Sequence, residues 1–233
     1  TKLTEYKSQN RGGVGSKGAT TRDADFLEDM FVANNHDYML FFTEKGRCFW
    51  LRVFEIPEGA KATKGRAIQN MINIPSDDKV MAFINTKDLK DEDYVNTHYV
   101  VMCTKQGVVK KTSLESYSRP RQNGINAITI REEDQLLEAK LTTGNSQIML
   151  AVRSGKAIRF EEEKVRPMGR TASGVRGVTL ANDNDEVVGM ICVNDFESDV
   201  LVVSENGYGK RSNIEDYRIC LLYTSPSPRD KRQ

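Results

Sequence analysis

No stretch of this 233-residue sequence approaches the roughly 20 apolar residues that cross a bilayer. The opening residues, TKLTEYKSQNRGG, lack the apolar core of a signal peptide. Both absences predict a cytoplasmic chain with no membrane partner. Cys48, Cys103, Cys192 and Cys220 are scattered without a CxxC pair, which excludes a zinc ribbon or a disulfide framework and leaves free, buried thiols. There is no Ser/His/Asp set, no catalytic pair of carboxylates and no metal-ligating cluster. The sequence therefore predicts no catalytic residue, no metal and no cofactor. Helical periodicity never persists beyond a turn or two. A charge of one sign is missing as well: the net charge is +1, and the terminal Arg229, Lys231 and Arg232 against Asp230 account for more than that excess. A nucleic-acid partner must therefore be argued from where the cations sit.

What the sequence has is a repeat. Four segments align without gaps: YMLFFTEKGRCFWLRVFEI from Tyr38, YVVMCTKQGVVKKTSLESY from Tyr99, QIMLAVRSGKAIRFEEEKV from Gln147 and DVLVVSENGYGKRSNIEDY from Asp199. Each is an apolar run, a short polar loop ending in Gly46, Gly107, Gly155 or Gly207, and a second strand-like run. This is the pattern of a β-hairpin whose glycine supplies the positive φ of a tight turn. Ten residues after each glycine stands a large apolar anchor, Ile56, Tyr117, Val165 or Tyr217, which predicts a common docking of the segment beyond the hairpin. Trp50, Tyr38 and Tyr99 read as packing residues, and His36 and His98, ahead of two hairpins, as loop caps or packing.

A second unit follows each hairpin except the last: a Gly, a strand, an acidic turn and another strand, beginning at Gly65, Gly124 and Gly174. The passage from Gly18 looks like the same unit without its hairpin. Four short strands about every fifty residues describe a propeller blade, so the chain is predicted to be all-β. It holds half a blade, three full blades and half a blade, near residues 1–35, 36–86, 98–142, 146–194 and 198–218, too few to close the ring alone. KDLKDEDYVNT, between Lys87 and Thr97, is an insert.

Charge is segregated within each repeat. Acidic residues fall in the second-unit turn: Asp23 and Asp25, Asp77 and Asp78, Glu132 to Asp134, and Asp183 to Glu186. Basic residues gather in and after the second hairpin strand: Arg47, Arg52, Lys61, Lys64 and Arg66; Lys110, Lys111, Arg119 and Arg121; Arg159, Arg166, Arg170 and Arg176; and Lys210 and Arg211. Glu161 to Glu163 interrupt this pattern. In a radial repeat, equivalent positions share an edge, so these cations are expected to form a positive rim. Duplex DNA carries about one charge per 1.7 Å, and a band of cations binds it through phosphates without reading bases. The alternative is an ordinary solvated surface of mixed sign. No recognition helix or base-stacking platform is evident.

Residues 9–15 read QNRGGVG, followed by Ser16, Lys17 and Gly18. Four glycines in so short a span make a loop, and successive glycine N–H groups suit phosphate. The Gly-Lys-Ser/Thr ending of a P-loop is absent. QNRGGVG resembles the gyrase-A box, QRRGGKG. The similarity extends through FLEDMFVANNHDYMLFFTEKGRCFWLRVFEIPEGAKATKGRAIQNMINI, SRPRQNGINAITIRE and VRPMGRTASGVRGVTL to about Arg218. It identifies the chain as a member of the gyrase A C-terminal domain family, with a likeness to Bacteroidetes forms. The resemblance implies a β-pinwheel that wraps duplex DNA and presents the transported segment for negative supercoiling. It also implies partnership with a B subunit and with another copy of the A subunit in an A2B2 assembly on the nucleoid. ATP, Mg and the cleavage tyrosine belong to regions outside this sequence. Gln9, Arg11, Gly12, Gly13 and Gly15 match the box, whereas Asn10 and Val14 replace an Arg and a Lys, with Lys17 nearby. Rival readings are the corresponding domain of topoisomerase IV, against which the box argues, and a protein-binding propeller, against which the Lys/Arg rim argues. The last residues, ICLLYTSPSPRDKRQ from Ile219, break the repeat and resemble either an adapter read-through or a disordered tail.

Overall fold

The computed structural model describes residues 1–21, 26–27, 29–60 and 63–220. Asp23, Asp25, Lys61 and the tail from residue 221 lie outside them.

The strands run in chain order as β1 (Tyr38–Thr43), β2 (Arg47–Arg52), β3 (Val80–Thr86), β4 (Tyr99–Thr104), β5 (Val108–Ser113), β6 (Ile125–Asn126), β7 (Leu136–Thr142), β8 (Gln147–Val152), β9 (Ala157–Glu161), β10 (Val175–Arg176), β11 (Val187–Val193), β12 (Asp199–Val203) and β13 (Gly209–Asn213). The insert forms one short helix, α1 (Glu92–Thr97), whose first turn is capped by the Asp91 side chain accepting the Tyr94 N–H.

All four predicted hairpins form. Gly46, Gly107, Gly155 and Gly207 have φ of 79, 80, 82 and 81°, and each donates its N–H to the carbonyl three residues back, at 2.9–3.0 Å. Beyond each hairpin a 3-10 turn (Val53–Glu55, Leu114–Tyr117, Glu162–Lys164 and Ile214–Asp216) presents the anchor. Tyr117 and Val165 are fully buried, and Ile56 and Tyr217 partly so.

Two sheets have four strands, in the orders β3-β1-β2-β6 and β10-β5-β4-β7; a third is β11-β8-β9, and β12-β13 form a pair. In the two four-stranded sheets the strands do not all come from one repeat unit. β6, from the unit after α1, pairs antiparallel with β2 of the preceding blade, Cys48 opposite Ile125. β10 likewise pairs with β5, Val175 opposite Val109. The chain segments that carry these strands, residues 118–130 and 166–180, thus run back along the outside of the blade before them; we call them straps. Consecutive straps are joined, since Thr129 Oγ1 donates to the Thr171 carbonyl at 2.7 Å.

The core lies between blades. β4 alternates, sending Val100 and Met102 to the seam with the first sheet, and Val101 and Cys103 to the seam with the third. Burial on both faces explains why the hairpin strands are continuous apolar runs. The inner strands β3, β7 and β11 lie side by side. The final pair leaves Leu201, Val202, Val203 and Tyr208 exposed.

Candidate nucleic-acid interface

The Gly-rich loop is a closed turn. The Gly13 N–H donates to the Asn10 carbonyl at 2.9 Å, with Arg11 and Gly12 at its corners and Gly12 at φ 87°. Positive φ at the third position of such a turn favours Gly. The Gln9 Oε1 accepts the Gly15 N–H at 2.7 Å and closes the loop across six residues. Arg11, Val14 and Lys17 are exposed around it, Val14 completely.

The structure divides the predicted rim in two. Three of its cations are buried and corrected out of it. Lys110 is 0% exposed: its ammonium donates to the carbonyls of Ala127, at 2.6 Å, and Arg170. Burial, aided by the Arg170 guanidinium, lowers its pKa to about 8. Lys111 is buried over the Tyr99 ring and bonds both the carbonyl (3.2 Å) and the carboxylate (3.5 Å) of Glu162. Arg159 is buried with Nη1 on the Ile214 carbonyl at 2.7 Å.

Lys111 and Arg159 occupy the same repeat position, four residues after the turn glycine, and both reach the first residue of the next blade's 3-10 turn. Trp50, at that position in the first hairpin, donates Nε1 to the Tyr117 carbonyl at 3.0 Å. The recurrent donor is therefore an inter-blade latch. It also explains the interruption at Glu161 to Glu163, because Glu162 is the buried acceptor and is held further by Thr142 Oγ1 and the Ser146 N–H. Arg211, the fourth residue in this register, is exposed and pairs with Asp199 at 3.2 Å.

The acidic turns have a structural member too. Asp78, Asp134 and Asp185 accept the N–H of Lys45, Gln106 and Ser154, each the residue before a turn glycine, at 3.0–3.2 Å. Each carboxylate thereby clamps its blade's hairpin turn, while Asp77, Glu132, Glu133 and Asp183 are exposed beside them.

Lys64, Arg66, Arg119, Arg121, Arg166, Arg176 and Lys210 are exposed. Arg119, Arg121, Arg166 and Arg176 lie on straps, and Lys64 and Arg66 follow the Ile56 anchor in the corresponding stretch. Arg47 and Arg170 are half-buried; Arg47 Nη2 holds the Asn123 carbonyl at 2.6 Å. Arg52 is exposed and lies over the rings of Tyr38 and Phe54. The sequence reading missed Arg218, exposed and in register with Arg166; the repeat spacing, eleven residues past the turn glycine in both, is the signal that locates it. Among the described residues no group of three or more His, Cys, Asp or Glu could hold a metal, and no helix is long and apolar enough to cross a membrane.

Blades closed by returning straps, with exposed cations along the outside, define a β-propeller of the pinwheel class. The family model for the DNA gyrase C-terminal domain, a β-propeller, matches residues 1–34, 37–87, 98–143, 147–194 and 198–220, and the chain belongs to this family. It is 43% identical over 218 residues to the DNA gyrase A protein of Staphylococcus epidermidis and 42% identical to that of Staphylococcus aureus. Those alignments cover 93% of this chain and 24% of each relative, so the chain spans about a quarter of their length. Among solved structures, the C-terminal domain of DNA topoisomerase IV matches with a TM-score of 0.73 at 28% identity, covering 85% of this chain and 60% of that one. The DNA gyrase A C-terminal domain matches with a TM-score of 0.69 at 23% identity, covering 94% and 69%, a likeness of fold.

Proposed function

We propose that this chain binds duplex DNA along its straps and bends it around the outside of the blades without base specificity, presenting a segment for negative supercoiling by a gyrase. The observation that carries this reading is the exposure of Lys64, Arg66, Arg119, Arg121, Arg166 and Arg176 on the outer segments. Within the seams, the recurrent donor positions are occupied by latches. Smooth bending of a 20–30 bp site by 40–90° costs about 1–6 kcal/mol, a cost that phosphate contacts offset. Cleavage, ATP, Mg, the B subunit and the other A subunit of an A2B2 assembly belong, in this reading, to the rest of the full-length protein.

Ligation of nicked circular DNA in the presence of the chain tests the proposal. Wrapping traps writhe that persists after deproteinisation as a shifted topoisomer distribution. A distribution centred where the protein-free control lies would reject it.

A further inference from the structure

We infer that Gln9 is a positioning residue, whose carboxamide oxygen holds the loop shut and thereby sets the direction of the Arg11 side chain. The inference rests on the DNA-binding reading above and adds a division of labour within the loop.

Three observations carry it. The Gln9 Oε1 is already engaged, accepting the Gly15 N–H at 2.7 Å. The carboxamide also fills the space beside Gly13, where an added Cβ would stand 2.8 Å from Oε1 and 3.1 Å from the Asn10 carbonyl. Gly13 is therefore bare to admit Gln9. Gly12 and Gly15 have open space around them and are required for another reason, their φ of 87 and 77°. Gln9, Asn10, Gly13 and Gly15 are thus spent on holding the loop shut, while Arg11 sits at the turn corner with its side chain outside. Removal of the Gln9 acceptor leaves the Gly15 N–H without this bond, and the loop is no longer fixed at both ends. Arg11 then loses its direction while keeping its charge.

Salt dependence separates positioning from contact, because each phosphate neutralised contributes about 0.9 to the slope of log K against log salt. A neutral amide that bonded phosphate directly would lower affinity without changing the slope. Duplex binding by the full 233-residue chain is measured across a salt series for Gln9→Met, Arg11→Ala and the double variant. Amide hydrogen exchange at Gly15 is read without DNA. The expected result is a slope shallower by about one charge in Gln9→Met, as in Arg11→Ala, with the double variant no shallower than either. Gly15 exchange should rise in Gln9→Met and in the double variant but not in Arg11→Ala, with hairpin amides unchanged. An unaltered slope in Gln9→Met, or a double variant whose losses add in full, overturns the inference. If the unmodified chain binds no duplex, the DNA-binding reading falls with it; if it binds and only the Gln9→Met result is negative, this inference falls alone.

Discussion

Residues of identical charge do opposite work here. Lys111 is buried against a buried Glu162, and breaking such a pair by removing one partner costs about 3–5 kcal/mol because the other charge is stranded. Lys111→Ala should therefore lower the denaturation midpoint sharply. Arg121→Ala, on an exposed strap, should change stability by no more than about 0.5 kcal/mol yet make the salt slope of DNA binding shallower by about one charge. Equilibrium unfolding paired with a salt series reads both. Lys110 adds a pH signature. Its folded pKa of about 8 lies below its ordinary 10.5, so both states are protonated at neutral pH and the burial penalty is then fully present. As pH rises from about 8 toward 10.5 the folded form loses the proton first, and this group's contribution to stability increases. Burial raises the Cys48 thiol and the Tyr117 hydroxyl, which act in the opposite sense in this range. The stability difference between the unmodified chain and Lys110→Met, followed over that interval, isolates the lysine and should shift in the chain's favour; a constant difference would disprove its titration.

Turns that look alike in sequence meet different surroundings. An added Cβ at Gly46 would lie 2.4 Å from the Ile128 carbonyl of the strap, whereas Gly155 has nothing within 4 Å. Both need positive φ, a strain of roughly 1–2 kcal/mol for a residue with a side chain. Gly155→Ala should cost about that much. Gly46→Ala should cost more, because the strap must also shift and lose the bonds from the Ala127 and Ile128 N–H groups to the Gly46 carbonyl. Thermal unfolding of the two variants gives the comparison, and equal losses would show that the strap contact contributes nothing.

Across the whole molecule, what could be read in advance was local. Glycine turns, apolar runs and the ten-residue anchor are set within one unit, and all of them formed. The partner of each strap strand was hidden, because a two-residue pairing such as Ile125–Asn126 with β2 leaves no periodicity of its own. The buried cations were hidden for another reason: a lysine on a seam and a lysine on the rim are the same letter. The alignment did hold a clue. Lys110 shares its column with Phe49 and Ile158, and Lys111 shares its own with Trp50, so both columns contain residues that favour burial.

The backward pairing of β6 and β10 has a consequence for synthesis of the chain. A polypeptide emerging from its N-terminus completes the hairpin of β1 and β2 long before it makes Ile125, and during that interval β2 offers an unpaired edge. At about 5–20 residues per second that exposure lasts several seconds, and it recurs at β5 until Val175 arrives. Each of these two blades is thus sealed one repeat late, its hairpin open to wrong partners until the next strap is made.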